Sequence, residues 1–402
     1  MTGIRGRRTV RIDLPVLAAY FALTPVHQTL VLPNGLTVVR YIALLAMAAC
    51  VLQGWRERRK FILRQDLLRP ILCMAAWFAL TILWARSPSA AASKYVQFLS
   101  YFALMLVVGS REWNERERQF VIRAVLLACV FFSARLLLSA AGGKRATISL
   151  SVNDGTASAD ENTLACNIGI GAAFAFDSFL KEKRWWMRAL GLAGFLVMLG
   201  GIAVTGSRGG LAAAAAACWV VWRGVRKHVR IGRAFPVAAG GVLLLAILVL
   251  ESSIRSNETL LSRFSEWNLT SASGRMEIWG QYLEMLIRRP LGFLGGYGIG
   301  CDTLEHADFL GRNWQRVTHN DVLSLVCQAG IPGLLLVIWL VRTVWRRSAF
   351  LRAPLGKACV ALALIASLDI NFFTTYGWWN AMIFAFAGFG AEPAGGGNIE
   401  AC

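Results

Sequence analysis

The sequence predicts an all-α, polytopic membrane protein of about 12 transmembrane helices with one large outer loop. The first reason is composition: of 402 residues, 56% are hydrophobic and only 16% charged, whereas about a quarter of a soluble domain is charged. The second is that apolar runs of near-spanning length, roughly 20 residues, recur from end to end. The third is that the basic residues alternate from loop to loop.

In chain order the runs fall at 14–32, 36–53, 67–85, 92–109, 119–140, 162–180, 186–205, 209–222, 235–250, 321–341, 355–371 and 377–391. The first follows a basic stretch, as a secretory signal would. No small-residue cleavage site precedes the turn at Pro33, and a second run follows at once, so it reads as a retained helix. The formal net charge of +19 would suit a nucleic-acid binder until its residues are placed. Arg5, Arg7, Arg8 and Arg11 precede the first run, and Arg56, Arg58, Arg59, Lys60, Arg64 and Arg69 lie between the second and third. The same side collects Arg111, Arg116 and Arg118, then Lys181 to Arg188, then Arg223 to Arg233, and finally Arg342 to Lys357. The short opposite loops hold only Arg86, Lys94, Lys144, Arg145 and Arg208. By the positive-inside rule both termini are cytoplasmic, and the charge reports topology rather than a nucleic-acid partner.

The whole chain, 1–402, therefore reads as a single integral membrane domain. Its one large hydrophilic segment, 251–320, is an outer loop between the ninth and tenth spans. A shorter outer loop, about 141–161, is rich in Gly, Ser, Asn and Asp and reads as irregular. Of the nine cysteines, Cys301 falls in the large loop, Cys402 ends the chain and the others lie in or beside the runs. That distribution gives neither a disulfide framework nor a metal-ligand spacing.

Within the large loop, "SGRMEIWGQYLEMLIRRP" places Trp279, Tyr282, Leu283, Leu286 and Ile287 at the i, i+3, i+4, i+7 spacing of an amphipathic helix, ended by Pro290. Such a helix lies in the membrane interface or packs across the tops of the spans. The following "LGFLGGYGIG" resembles a dinucleotide loop only superficially, because no strand precedes it; it reads as a flexible turn, with no nucleotide. In "DINFFTTYGWWN", Tyr376, Trp378 and Trp379 suit an interfacial aromatic belt.

Candidate chemistry begins at "VTGSRGGLAAAAAAC". Arg208 precedes a run of about 14 apolar residues, which at ~1.5 Å per residue covers about 21 Å of a ~30 Å hydrocarbon core. Unless that helix runs on into "RGVRK", Arg208 lies below the outer surface, and at the positive end of a helix, where a cation is disfavoured. An anion would resolve both problems. Gly206, Gly209 and Gly210 leave backbone amides free to approach it, and an arginine fork suits phosphate. Arg275 repeats the anomaly at the first turn of the amphipathic helix, so the pair suits one diphosphate-sized anion.

Among the histidines, His27 sits in the first run beside Pro25 and reads as packed. His228 belongs to a cytoplasmic basic loop, and His306 is a loop residue. His319, in "RVTHNDVLSLVCQAGIPGLLL", stands where the outer loop re-enters the membrane, at a helix start that favours the neutral, proton-accepting imidazole. Asn320 and Asp321 flank it. Arg40, Arg135, Asp160, Glu161, Asp369 and Asn371 are further polar residues at the same level and read as helix-end groups. Of these, Arg135 and Asp369 join Gly209, Gly210, Asn320 and Asp321 as candidates for supporting roles.

In order, "TGSRGGL", "SGRMEIW…RPLGFLGGYGIG" and "HNDVLSL…AGIPGLLL" resemble the O-antigen ligase superfamily, which also contains O-antigen polymerases. The motifs cover about a third of the chain, and their spacing and common side extend the resemblance over nearly all of it. The resemblance implies a GT-C-like glycosyltransferase of the bacterial inner membrane, working at the periplasmic face. It implies an O-antigen donor on undecaprenyl diphosphate, a lipid A-core acceptor, and no metal, cofactor or nucleotide. Carried onto this sequence, the family's arginine after the "GS" step is Arg208, its loop arginine Arg275 and its essential histidine His319. Two alternatives stay open. A polymerase would use the same donor with a glycan acceptor, and a transporter or flippase of an anionic lipid would use the same charges without transfer.

Overall fold

The computed structural model describes residues 11–29, 31–32, 37–57, 63–142, 160–226 and 274–391. Among these the protein is helical, with no strand beyond an isolated bridge between Val31 and Thr37. Helix α1 spans Asp13–Leu23 and continues into a 3-10 turn, Thr24–Val26. Then follow α2 (Val38–Arg56), α3 (Gln65–Thr81, extended by the turn Ile82–Trp84), α4 (Pro88–Ser110), α5 (Glu115–Ala141), α6 (Glu161–Lys181), α7 (Trp185–Val204) and α8 (Arg208–Val225). After 274 come α9 (Arg275–Arg288), α10 (Leu291–Gly295), α11 (Asp302–Phe309), α12 (Asp321–Phe350), α13 (Pro354–Asp369) and α14 (Tyr376–Phe386).

Seven helices among the described residues, α2 to α7 and α12, are long and apolar enough to cross a membrane. Helices α1, α8, α13 and α14 stand where further spans were predicted but do not reach that standard. The predicted run 235–250 lies outside the described residues, as does 251–273 of the predicted outer loop.

Side-chain caps fix several helix starts. Ser87 accepts from the Ala90 amide, with Pro88 opening α4, and Asn114 with Glu117 forms a reciprocal capping box at α5. Asp160, Ser207 and Asn320 cap α6, α8 and α12.

Small residues let the centre of the bundle close. Helix α6 is buried along almost its whole length, packed between α7 and α8, and α8 packs in turn on α13. The alanine run of α8 supplies the flat face: Ala213, Ala214 and Ala217 are fully buried. A side chain at Gly169 would meet Leu362 and Ala214, and one at Gly171 would overlap Cys129. This is close backbone approach of the kind membrane helices use in place of a hydrophobic drive, lipid being as apolar as leucine.

The aromatic cluster corrects one expectation. Trp378 and Trp379 are 1% and 0% exposed and Tyr376 only 5%, so they belong to the core rather than to an interfacial belt. Trp379 stacks on Tyr101, and its indole N–H donates to the Phe373 carbonyl. A protein partner for that donor is what makes burial of the ring affordable, and sequence alone does not reveal the partner.

The glycine-rich segment is also different from a flexible turn. Helix α12 kinks at Gly330 (φ 67°, ψ −175°), and Pro332 has no N–H to give. The kink strips the carbonyls before it of their helical partners. The glycine segment restores them: Tyr297 N–H donates to Cys327 O (2.6 Å) and Gly298 N–H to Gln328 O (3.2 Å). The Trp77 indole donates to Ala329 O (2.7 Å). Gly296 and Gly298 adopt positive φ (69° and 101°), and a side chain at Gly296 would overlap the Gln328 backbone. The segment is therefore the seam that closes a broken helix, where buried irregular backbone must be satisfied by protein.

Helix α9 packs through Ile278, Tyr282, Met285 and Leu286, not through the full predicted stripe. Leu283 and Ile287 are 48% and 71% exposed and continue an outward apolar band with Met276, Leu291 and Leu294. The apolar residues cover more of the helix than one face, and Tyr282, stacked on His306 with ring centroids 3.9 Å apart, decides which side turns inward.

Candidate catalytic and anion-binding site

The site forms at one end of the bundle. The starts of α6, α8, α9 and α12 meet the end of α13 there, while Arg11, Asp13, Arg111 and Glu117 form an ionic cluster at the opposite end.

At α8, Gly206 takes φ 71° and ends the preceding turn. The Ser207 hydroxyl then accepts from the Gly210 amide at 3.1 Å, which sets Arg208 at the first helical position. Arg208 is exposed. The helix runs 18 residues, through Arg223 in its last turn, where a cation complements the dipole. It is thus longer than the predicted 14-residue run, and helix length does not place Arg208 below the surface.

A carboxylate of the chain itself stands at this helix end. Asp369, the last residue of α13, lies so close to the first turn of α8 that a Cβ at Gly209 would overlap its carboxylate. The same carboxylate accepts a charge-assisted hydrogen bond from the Arg275 guanidinium. Asp369 therefore joins the two helix starts that carry the arginines. Gly210 has a different task, since a Cβ there would overlap Ala165 of α6.

His319 is half-buried and held at φ 50°, a left-handed conformation uncommon outside glycine. Its neighbours impose this geometry. The Trp279 indole donates to Thr318 O (2.7 Å) and the Tyr282 hydroxyl to Arg316 O (2.8 Å), so α9 braces the approach to His319. On the other side Asn320 donates to Leu368 O (3.2 Å), and the buried Asp321 carboxylate accepts from Phe373 N–H (2.7 Å). Asn320 and Asp321 thus tie the start of α12 to the end of α13, which brings His319 toward Asp369. Burial, and then the Arg275 cation, hold the His319 imidazole below its ordinary value, against Asp160 and Asp369, which raise it. The neutral form expected at a helix start is favoured, with desolvation and one arginine as the main causes.

His319 also lines a cavity of about 760 Å³, within the ~300–1,000 Å³ range of small-ligand sites. Its wall is polar for a membrane protein: Arg40, Lys94, Asp160, Gln97, Asn371 and Thr374 face it. Arg40, Asp160 and Asn371 thus line this cavity, and Asp160 also caps α6, as a helix-end group does. Lys94 and Gln97 carry no motif in the sequence. Their i, i+3 spacing on α4 is the only hint that they share a face.

Arg135 is exposed on α5 and no contact among the described residues joins it to this cluster. His27 bonds the Thr24 carbonyl and packs edge-on against Tyr376, as a packed histidine does. His306 is buried in its stack with Tyr282, and burial lowers its imidazole to about 4. Among the described residues, no group of three His, Cys, Asp or Glu side chains gathers as a metal site would require.

Comparison with known proteins gives one family: the model described as O-antigen ligase matches residues 193–338, a stretch that contains Arg208, Arg275 and His319. No curated protein matches the chain.

Proposed function

From a chain that belongs to the O-antigen ligase superfamily, a multi-pass membrane protein with ligase- or polymerase-type activity, we propose a specific reaction. The protein transfers O-antigen from undecaprenyl diphosphate to a sugar hydroxyl of lipid A-core at the periplasmic face of the inner membrane. The observation that supports this reading is that the helix starts carrying Arg208 and Arg275 meet at Asp369, beside a neutral-favouring histidine on the wall of a polar cavity.

In this mechanism Arg208 and Arg275 hold the donor diphosphate and stabilise the charge that grows on it as the sugar–phosphate bond breaks. His319 accepts the proton of the acceptor hydroxyl while its oxygen attacks the anomeric carbon. One glycosidic bond forms, one sugar–phosphate bond breaks, undecaprenyl diphosphate leaves, and the anomeric carbon inverts. Asp369 is a positioning residue: it aims Arg275 at the start of α8. The activated donor supplies the driving force, so no nucleotide is required, and in this reading the two arginines take the charge-stabilising place a metal would otherwise have.

The test uses purified protein with excess EDTA, an undecaprenyl-diphosphate glycan as donor, and lipid A-core competing with a second copy of the donor as acceptor. Glycan on lipid A-core, lost in His319→Ala and Arg208→Ala, is the expected result. Donor-on-donor extension would make the protein a polymerase, and flux of the lipid across proteoliposomes without transfer would replace the whole reading by transport.

A further inference from the structure

The cavity holds more positive charge than the reaction uses. Arg40 enters it from the first turn of α2 and Lys94 from α4. Neither side chain has a hydrogen bond or ion pair to a carboxylate among the described residues. Asp302 and Asp321 stand within electrostatic range of Lys94, but neither lines the cavity. Asp302 accepts from the Ser324 hydroxyl at 2.6 Å, and Asp321 from Phe373 N–H. Asp160, the carboxylate on the cavity wall, accepts from the Thr163 amide and hydroxyl.

The Lys94 stem is held in place. Gly300, at φ 74° in the glycine seam, passes so close that a Cβ there would stand 2.7 Å from Lys94 Cβ. The seam is fixed by Gly300 N–H donating to the Gln328 side chain (2.9 Å), itself bonded to Ser324. The Lys94 ammonium lies over the Phe98 ring at 5.9 Å, and the half-buried Lys94 and Arg40 line one polar cavity, so an anion entering it would meet two cations with no direct carboxylate ion pair among the described residues.

His319 indicates which substrate brings that anion. Asp369 and Arg275, paired with each other, do not line the cavity, whereas His319 does. If the base touches the acceptor hydroxyl, the cavity is the acceptor's and the arginine side is the donor's. We propose that Arg40 and Lys94 form a second anion subsite, which binds a phosphate or carboxylate substituent on the acceptor glycan and selects acidic acceptors over neutral ones. This rests on the transferase reading given above, and assigns the substrate class of its acceptor half.

The test compares lipid A-core oligosaccharide with the same oligosaccharide after dephosphorylation, using full-length protein in nanodiscs. Both transfer kinetics and direct binding are measured. Wild-type protein should favour the phosphorylated acceptor, and Lys94→Gln and Arg40→Gln should each raise its KM roughly tenfold, the loss of about one charge-assisted contact. Both should leave donor KM where it was and shrink the preference for phosphate. Lys94→Arg should restore most of it, which a merely structural lysine would not do. Equal KM for both acceptors in the wild type, or a rise confined to donor KM, overturns the subsite, the latter by placing the cations on the donor's diphosphate. Absence of transfer to either acceptor would count against the ligase reaction instead. Binding that still depends on phosphate and on Lys94 would then sustain the anion site without it.

Discussion

At the scale of single residues, the proposed reaction depends on charge geometry more than on charge count. Arg208→Lys and Arg275→Lys keep the charge but lose the planar fork, and each should lower kcat/KM roughly 10²-fold while leaving expression intact. Initial-rate kinetics on the purified variants decide this, and full activity in Arg208→Lys would end the bidentate argument. His319→Ala should cost about 10²–10⁴-fold. The environment of His319 also fixes a sign. Its imidazole is held low by burial and by Arg275, so the base is lost only as pH falls below the range of an ordinary histidine. Replacing Arg275 by Gln removes a lowering influence, and the His319 titration followed by NMR should move upward. Movement downward would show that Arg275 does not act on His319 as its position suggests.

At the scale of elements, two devices hold the site together. One is the junction of α8, α9 and α13 at Asp369. Asp369→Asn keeps its volume but weakens the tie to Arg275, so kcat should fall while acceptor KM changes little. Gly209→Ala, whose added methyl would occupy the place of that carboxylate, should give the same loss without unfolding the bundle. The other device is the seam of α10 and its glycines against the kink of α12. Gly296→Ala combines positive φ with overlap on the Gln328 backbone. It should destabilise the protein by about 2 kcal/mol or more, read as a lower thermal midpoint in detergent. The apolar band of α9 and α10 that faces outward, Met276, Leu283, Ile287, Leu291 and Leu294, suits contact with the lipid interface beside the site.

At the scale of the molecule, orientation is what makes a periplasmic reaction possible. By the positive-inside rule, the proposed orientation puts the site end of the bundle outside the cytoplasm. Asn313→Cys, in the exposed loop after α11, should therefore react with an impermeant maleimide in intact spheroplasts. Glu112→Cys, at the opposite end between α4 and α5, should react only after permeabilisation. The reverse pattern would put His319 on the cytoplasmic side and remove the proposed donor and acceptor from its reach. The four ion pairs of Arg86 and Arg289 with Glu305 and Asp308 fasten α11 to the turn after α3 and to α9. They should make the outer segment move with the bundle rather than as a separate lid.

The sequence by itself determined the helical class and, within a few residues, the positions of the seven helices long and apolar enough to cross a membrane, and it singled out Arg208, Arg275 and His319 as candidates. Each follows from local quantities: length of apolar run, sign of a charge against a helix dipole, a capping residue. Only the tertiary structure decided that the Asp369 carboxylate stands at the start of α8, since it lies 161 positions from Arg208 in a chain whose helices meet only after packing. The same holds for Arg40 and Lys94, which become one surface with His319 only when α2, α4 and α12 converge. It holds also for the glycine seam, whose purpose is set by carbonyls that Gly330 and Pro332 release in a different helix. Burial of Trp378 and Trp379 went against expectation for the same reason: periodicity marks a residue as apolar, but which neighbour covers it, and whether its N–H finds an acceptor there, are properties of the folded bundle.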